Sequence, residues 1–228
     1  RGLGPQSTLL LIDGRRLAGS GFRGELNDLS AVPSGAVERV DVLLDGASAI
    51  YGSDAVAGVV NVVMRRAFDG QESRLRLGAV EGGSEDLIVS HAAGRTWDGG
   101  SALLAYEYQH AQGLSSLDRL YTRNGDLRPF GGTDRRNLFS SPGNIVVYDP
   151  VARAYRSQWA IRPPGGGAAA SSTDFVAGET NLQAVSLGAD LTPSIERHSL
   201  FGRFRQSSGR LDLTGDLRFS RRGYELAG

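Results

Sequence analysis

The sequence has 228 residues, of which 25 are basic and 25 acidic, so its formal charge is zero. That balance excludes a polybasic nucleic-acid or membrane-surface binder. Cysteine is absent, which excludes disulfides, thiolate metal sites and cysteine nucleophiles while saying nothing of compartment.

Every basic residue is Arg, which reads as a genome bias rather than a functional signal. Glycine, at 32 residues, is about twice as frequent as usual, and 40% of the chain is hydrophobic. This composition points to short strands and many turns rather than packed helices. No apolar stretch reaches the ~18 residues of a spanning helix. Residues 1–20 lack the charged and apolar regions of a signal peptide. The chain opens on Arg1 without an initiator Met and stops at Gly228 just after a strand-like run. Truncation at both ends accounts for this as well as a soluble cytoplasmic origin would.

In chain order, Thr8–Asp13 (TLLLID) is a continuous apolar run ending in the turn dipeptide Asp13-Gly14. Gly19–Gly24 matches G-x-G-x-x-G, but no strand leads directly into the glycines and only eight residues follow before Pro33. A dinucleotide-binding crossover helix does not fit there. Val37–Leu44 alternates, with Val40, Val42 and Leu44 as the apolar face of a half-buried strand. Ala47–Tyr51 is short, helix-compatible and closed by Gly52. Val59–Met64 is β-branched and lies between Gly58 and Arg65-Arg66. Together these make a small α+β unit.

Beyond it the rhythm changes. Runs of about ten residues at Glu72–Glu81, Asp86–Arg95, Ser101–Ala111, Arg197–Gln206 and Arg210–Ser220 match the ~9–11 residues of a tilted transmembrane strand. The last alternates cleanly, with Leu211, Leu213, Gly215, Leu217 and Phe219 opposite Asp212, Thr214, Asp216, Arg218 and Ser220. In the fourth, Phe201 interrupts the pattern. A membrane barrel and a soluble sandwich share this period and differ in which face meets the core. Connection lengths favour the barrel: Gly82–Glu85, Thr96–Gly100 and Ser207–Gly209 are short, and Gln112–Glu196 is very long. Outer-membrane barrels place short turns inside and long loops outside.

A structureless connection of that length is unusual in a compact soluble domain. Its low-complexity run Pro163–Ser172 is expected to be mobile. It also mixes Tyr121, Phe130, Phe139, Tyr148, Tyr155 and Trp159 with Arg119, Arg123, Arg128, Arg135, Arg136, Arg153, Arg156 and Arg162. Such a mixture suits capture of an anionic or aromatic ligand. The simpler reading is a solvated loop with its own packing cluster. His91, His110 and His198 have no metal-ligand spacing, though His110 and His198 could meet across neighbouring strands. No nucleophile elbow is present, and enzyme activity has no positive support.

The block Thr8–Arg66 resembles the later half of the plug domain of TonB-dependent outer-membrane receptors. The ordered matches are Arg1-Gly2, Leu10–Arg16, Val32-Pro33, Val37–Leu43, Gly46–Gly58 and Val59–Arg65. The resemblance implies an α+β plug segment over residues 1–68, followed over 69–228 by the first antiparallel strands of a truncated transmembrane β-barrel. The long loop around 112–196 would be extracellular. It marks Asp13, Gly14, Pro33, Glu38, Arg39, Gly46, Tyr51, Gly52, Gly58 and Asn61 as plug-building residues. Glycines there allow tight turns and close approach, and the Tyr51 ring would pack while its hydroxyl finds a buried partner. Glu38, Arg39, Asp41 and Asp54 are expected to pair across a polar plug–barrel interface.

The segment between Arg16 and Asp28 falls where an apical loop facing the ligand would lie, which makes Ser20, Gly21, Phe22 and Arg23 contact candidates. The implied function is energy-coupled uptake of a scarce nutrient, a ferric siderophore before cobalamin or an oligosaccharide. Implied partners are TonB with its ExbB–ExbD motor, the nutrient and outer-membrane lipid, without nucleic acid, cofactor or resident metal. So few strands could not close a barrel, and the isolated piece is expected not to transport. The alternative from the residues alone is a soluble β-rich binding or adhesion module.

Overall fold

The computed structural model describes residues 7–17, 28–44, 48–81, 83–163 and 171–227, and the chain divides into two compact units. The first comprises residues 1–78, 85–111 and 195–223, and the second residues 79–84, 112–194 and 224–228.

In the first unit, β1 (Thr8–Ile12), β2 (Arg15–Arg16), β3 (Val37–Leu43) and β4 (Gly58–Met64) form a four-stranded sheet of order β2-β1-β4-β3. β1 and β4 run parallel at its centre, with Thr8 opposite Gly58 and Ile12 opposite Val62. Central strands covered on both faces need continuous apolar runs, and these have them. Leu9, Leu11 and Val59 pack with Ala55 and the Tyr51 ring on one side, while Ile12, Val62 and Met64 join the main core on the other. The single helical turn α1 (Ser48–Tyr51) precedes β4. A side chain at Gly58 (φ 142°) would place Cβ 2.5 Å from the Leu43 carbonyl oxygen, so the backbone crossing there admits only glycine.

The apolar face expected to be half-buried on β3 is not. Val40, Val42 and Leu44 are each more than half exposed. β3 is the outer strand of its sheet, and no described residue covers that face.

The five long runs are strands: β5 (Gly70–Ala79), β6 (Glu85–Trp97), β7 (Gly100–Ala111), β13 (Ser194–Ser208) and β14 (Leu211–Glu225). They form one open sheet of order β14-β13-β7-β6-β5, antiparallel along β6, β7 and β13. The sequence located all five; three of its runs lie inside the observed strands, the first overruns β5 by two residues, and the last begins one residue before β14 and ends five short of its end.

This sheet inverts the ordinary polarity of a soluble protein. The four-stranded unit packs on one of its faces, where Ser90, Ser101, Glu107, Arg197, Ser199 and Arg203 are buried. On the opposite face large apolar residues stand exposed, Leu77 at 72% and Leu217 at 61% among them. Phe201, which broke the alternation, lies on the covered face at 1% exposure and packs into the core with Ala36, Met64 and Leu103. Gly94 belongs to the same contact: a Cβ there would lie 2.5 Å from the Phe68 carbonyl oxygen.

The second unit gives the long connection, read from the sequence as a solvated loop with its own packing cluster, strands that the sequence had not located. β9 (Asn144–Asp149), β10 (Ala154–Ile161) and β11 (Phe175–Ala177) form a three-stranded antiparallel sheet of order β11-β10-β9. β8 (Leu114–Ser115) pairs antiparallel with β12 (Asp190–Thr192), bringing the two ends of the connection together. Half-buried Asn144 and Asn181 side chains stitch the loops around the larger sheet, the Asn181 amide donating to the carbonyls of Gly143 and Ile161 at 3.0 and 2.8 Å. Long-range amide bonds of this kind leave no periodic trace in a sequence. Of the low-complexity run, residues 164–170 lie outside the described residues.

Candidate functional site

The polar groups buried between the four-stranded unit and the covered face of the long sheet form a continuous seam. It starts from the Asp13-Gly14 turn, whose residues both have positive φ (49° and 74°), the two-residue geometry that joins twisted strands. Asn61 on β4 accepts from the Gly14 amide at 2.9 Å, and the Met64 amide donates to Asp13 at 2.9 Å, so β4 fixes the turn from below.

The remaining Asp13 oxygen forms an ion pair with Arg203 on β13. Arg203 holds Asp216 on β14 through two parallel bonds of 2.8 Å and donates to the carbonyl oxygens of Met64 and Arg65 at 3.4 and 3.3 Å. Its guanidinium also lies 5.4 Å from the centre of the Phe201 ring. A guanidinium so enclosed is tolerable because its fork is met by carboxylates and carbonyls on both sides.

A second tie runs through Glu107 on β7, 5% exposed. It accepts from the amide and hydroxyl of Ser34 at 3.0 and 2.5 Å and lies 3.8 Å from Arg197. A third joins Arg222 to Asp28 at 2.6 Å. Burial works against ionisation of Asp28, but the Ser30 hydroxyl and amide together with Arg222 outweigh it and hold its carboxyl below the usual range. At the end of β4, Arg65 pairs with Glu72 at 2.8 Å and lies 4.8 Å from the Phe68 ring centre.

These are not the pairs anticipated from the sequence. Arg39 pairs with Glu38 and Asp41 at 3.1 Å each, all on the exposed β3, and Asp54 pairs with Arg16 at 2.5 Å within the same segment. Tyr51 does pack by its ring. Its polar contact is made by its carbonyl, which accepts from Arg16 at 2.6 Å, and its hydroxyl bonds to no described residue. Pro33 is fully buried and leads into the turn that carries Ser34. Gly52 adopts φ 87° between α1 and the following turn. Ser20, Gly21, Phe22, Arg23 and Gly46 lie outside the described residues, as does Gly19–Gly24 as a whole.

Among the histidines, His198 bonds the Tyr106 hydroxyl at 2.7 Å and lies beside the Tyr108 ring, while His91 meets Ser73 at 2.8 Å. His110 is opposite Glu196 in the β7–β13 register, so it does not face His198 directly.

In the second unit, many of the arginines anticipated as ligand forks are already engaged. Arg128 grips Asp126 with bonds of 2.8 and 2.6 Å, and Arg136 grips Asp134 with bonds of 3.0 and 2.7 Å. The Arg136 side chain and amide push the Asp134 carboxyl down to about 2. Arg128 likewise lowers Asp126. Arg156 and Arg162 pair with Asp149 and Glu179. Phe139, Tyr148 and Tyr155 form an exposed edge-to-face aromatic cluster, with centroids 6.4 and 5.4 Å apart. A mostly apolar cleft of about 320 Å³ opens between Tyr121, Leu127 and Val185, with the Arg135 side chain on its lining.

Residues 1–59 match the family model of the TonB-dependent receptor plug domain. Over 77 residues the chain is 43% identical to the ferric enterobactin receptor PirA of Pseudomonas aeruginosa, covering 30% of this chain and 10% of that protein. Over 74 residues it is 42% identical to the ferrienterobactin receptor of Escherichia coli, covering 29% of this chain and 10% of that protein.

The backbone superimposes on a variant of the ferric enterobactin receptor PfeA from Pseudomonas aeruginosa, crystallised with enterobactin, at a TM-score of 0.59 and 17% identity. The match takes in 98% of this chain and 26% of that one. The siderophore receptor PirA from the same organism aligns at a TM-score of 0.50 and 16% identity, over 98% of this chain and 28% of its own. The chain therefore spans about a quarter of the length of these solved relatives, and at such identity the likeness establishes the fold.

Proposed function

We propose that this chain, whose residues 1–59 match the TonB-dependent receptor plug model, supplies the later plug and the first barrel wall of an outer-membrane receptor for a ferric siderophore. The boundary between plug and barrel falls near residue 68. One observation carries the reading: the five-stranded sheet buries Glu107, Arg197 and Arg203 against the plug segment and exposes Leu77, Leu104 and Leu217 on its other face. Water cannot favour that arrangement, whereas lipid on one side and a polar lumen on the other require it.

Seating by ion pairs suits a plug that has to move. A packed apolar seam would expose hydrocarbon to water on opening, at ~25 cal/mol per Å². The charged groups of Arg203, Asp13 and Glu107 can instead be rehydrated as they part. TonB, driven by ExbB–ExbD, would supply the pull. On this reading residues 112–196 would lie outside the cell, with the aromatic cluster around Tyr155 available to ligand, and the family resemblance alone proposes Ser20, Gly21, Phe22 and Arg23 as further contacts. The siderophore brings its own iron.

The test is uptake of radio-iron-loaded siderophores by source cells lacking the gene, with and without complementation. Loss of one ferric siderophore, restored only when TonB is intact, is the expected result. Unchanged iron uptake with lost cobalamin or oligosaccharide uptake would move the substrate. A soluble gene product without any uptake defect would favour a binding module instead.

A further inference from the structure

Between the β1–β2 turn and the inner face of β13 and β14 lies a cavity of about 410 Å³. Arg15 and Arg66 line it from the plug segment, and Arg205 and Arg218 line it from the wall. None of these four guanidiniums has a hydrogen bond or ion pair with a described residue. The lining also includes Arg203, Asp13 and Asp216, but both carboxylates are spent: Asp216 on the Arg203 fork, Asp13 on Arg203 and the Met64 amide. A net positive charge of three is left facing one space; Arg15 and Arg218 feel Asp216 only at longer range, and among the described residues no carboxylate bonds any of the four directly.

Elsewhere in the molecule guanidiniums brought together are neutralised, as with Arg128 and Arg136 on Asp126 and Asp134. Like charges facing one cavity repel, and counter-charge is what relieves them. We infer that this cavity binds a small tetrahedral oxyanion, a phosphate group, held by arginine forks from the plug on one side and the wall on the other. Arginine suits this role because its planar fork delivers two parallel hydrogen bonds to neighbouring phosphate oxygens. The cavity opens on the polar face of the sheet, away from the apolar face, so the phosphate comes from solution rather than from a lipid headgroup. Bound there, it would add a bridge beside the Arg203 tie, and its presence would firm the seating of the plug. The site does not depend on which nutrient the receptor carries.

The experiment is calorimetric titration of the natural gene product, purified in neutral detergent, with inorganic phosphate at low chloride. Saturable binding of one equivalent is expected, weakening as chloride rises because the exposed guanidiniums are screened. Arg205→Gln on the wall and Arg15→Gln on the plug should each weaken it about tenfold, the loss of one charge-assisted bond pair. Circular dichroism and heat-modifiable gel mobility confirm that each variant is folded, and siderophore affinity should be unchanged in both. Failure of siderophore uptake with intact phosphate binding would sink the transport reading alone. Absence of saturable phosphate binding, or wild-type affinity in both variants, would overturn the site. A soluble short-chain phosphatidate that binds where phosphate does not would overturn the solution source.

Discussion

Arg203 and Asp13 are separated by 190 positions, and their contact joins two segments that sequence periodicity treats independently. Substituting Arg203 with Ala would remove the fork that holds two part-exposed carboxylates and should cost about 1–3 kcal/mol, since water and the neighbouring guanidiniums can partly take its place. Arg203→Lys should recover only part of that, since an ammonium cannot span both Asp216 oxygens. Thermal unfolding of the three proteins measures both.

Asp134 tests the other unit. Its carboxyl is held at about 2, against an ordinary 3.8, so its folded form is the weaker proton binder. The tie to Arg136 is therefore complete above about pH 4 and lost as pH falls towards 2, in the sense required by linkage. Protection of the amides across residues 124–136, taken relative to their intrinsic exchange rates at each pH, should stay flat from pH 7 to 4 and fall only below that. The Asp13-Gly14 turn was legible because its signal is a dipeptide. The roles of Asn61, Arg203 and Glu107 were not, because each is set by a partner far away in the chain.

At the level of elements, alternation located every long strand but assigned Phe201 to an irregularity. The strand is regular, and Phe201 is where the wall meets the plug core. A period of two cannot distinguish a polar lumen position from one pressed against another element. β3 fails in the opposite sense: its sequence alternates like a buried strand, yet edge position leaves Val40 and Val42 uncovered. Two substitutions follow from the wall geometry. Leu217→Arg on the exposed apolar face should cost about 2–4 kcal/mol in a bilayer if it lies near mid-membrane, whereas Thr214→Gln on the polar face should cost little. Urea unfolding of the receptor in lipid vesicles compares them. Gly94→Ala drives a methyl into the Phe68 carbonyl and should destabilise by about 1–3 kcal/mol in the same assay.

The whole molecule combines two kinds of order. The first unit was legible in outline because its strands repeat a simple pattern and its plug block resembles a family. The second unit, around Asn144, Asn181 and the arginine–aspartate clusters, was read only as a solvated loop with a packing cluster of its own, because polar cross-links carry no periodicity. The pairing of β8 with β12 bears on how such a chain can be assembled. Closing a loop costs conformational entropy that grows only with the logarithm of its length, about 0.6 kcal/mol per doubling. Once Leu114 and Thr192 are paired, β7 and β13 are joined by a closed neck, and all that lies between is an excursion whose ends already meet. The β7–β13 hairpin can then tolerate exchange of everything beyond the neck, so that one wall could bear different outer surfaces through transplantation rather than redesign.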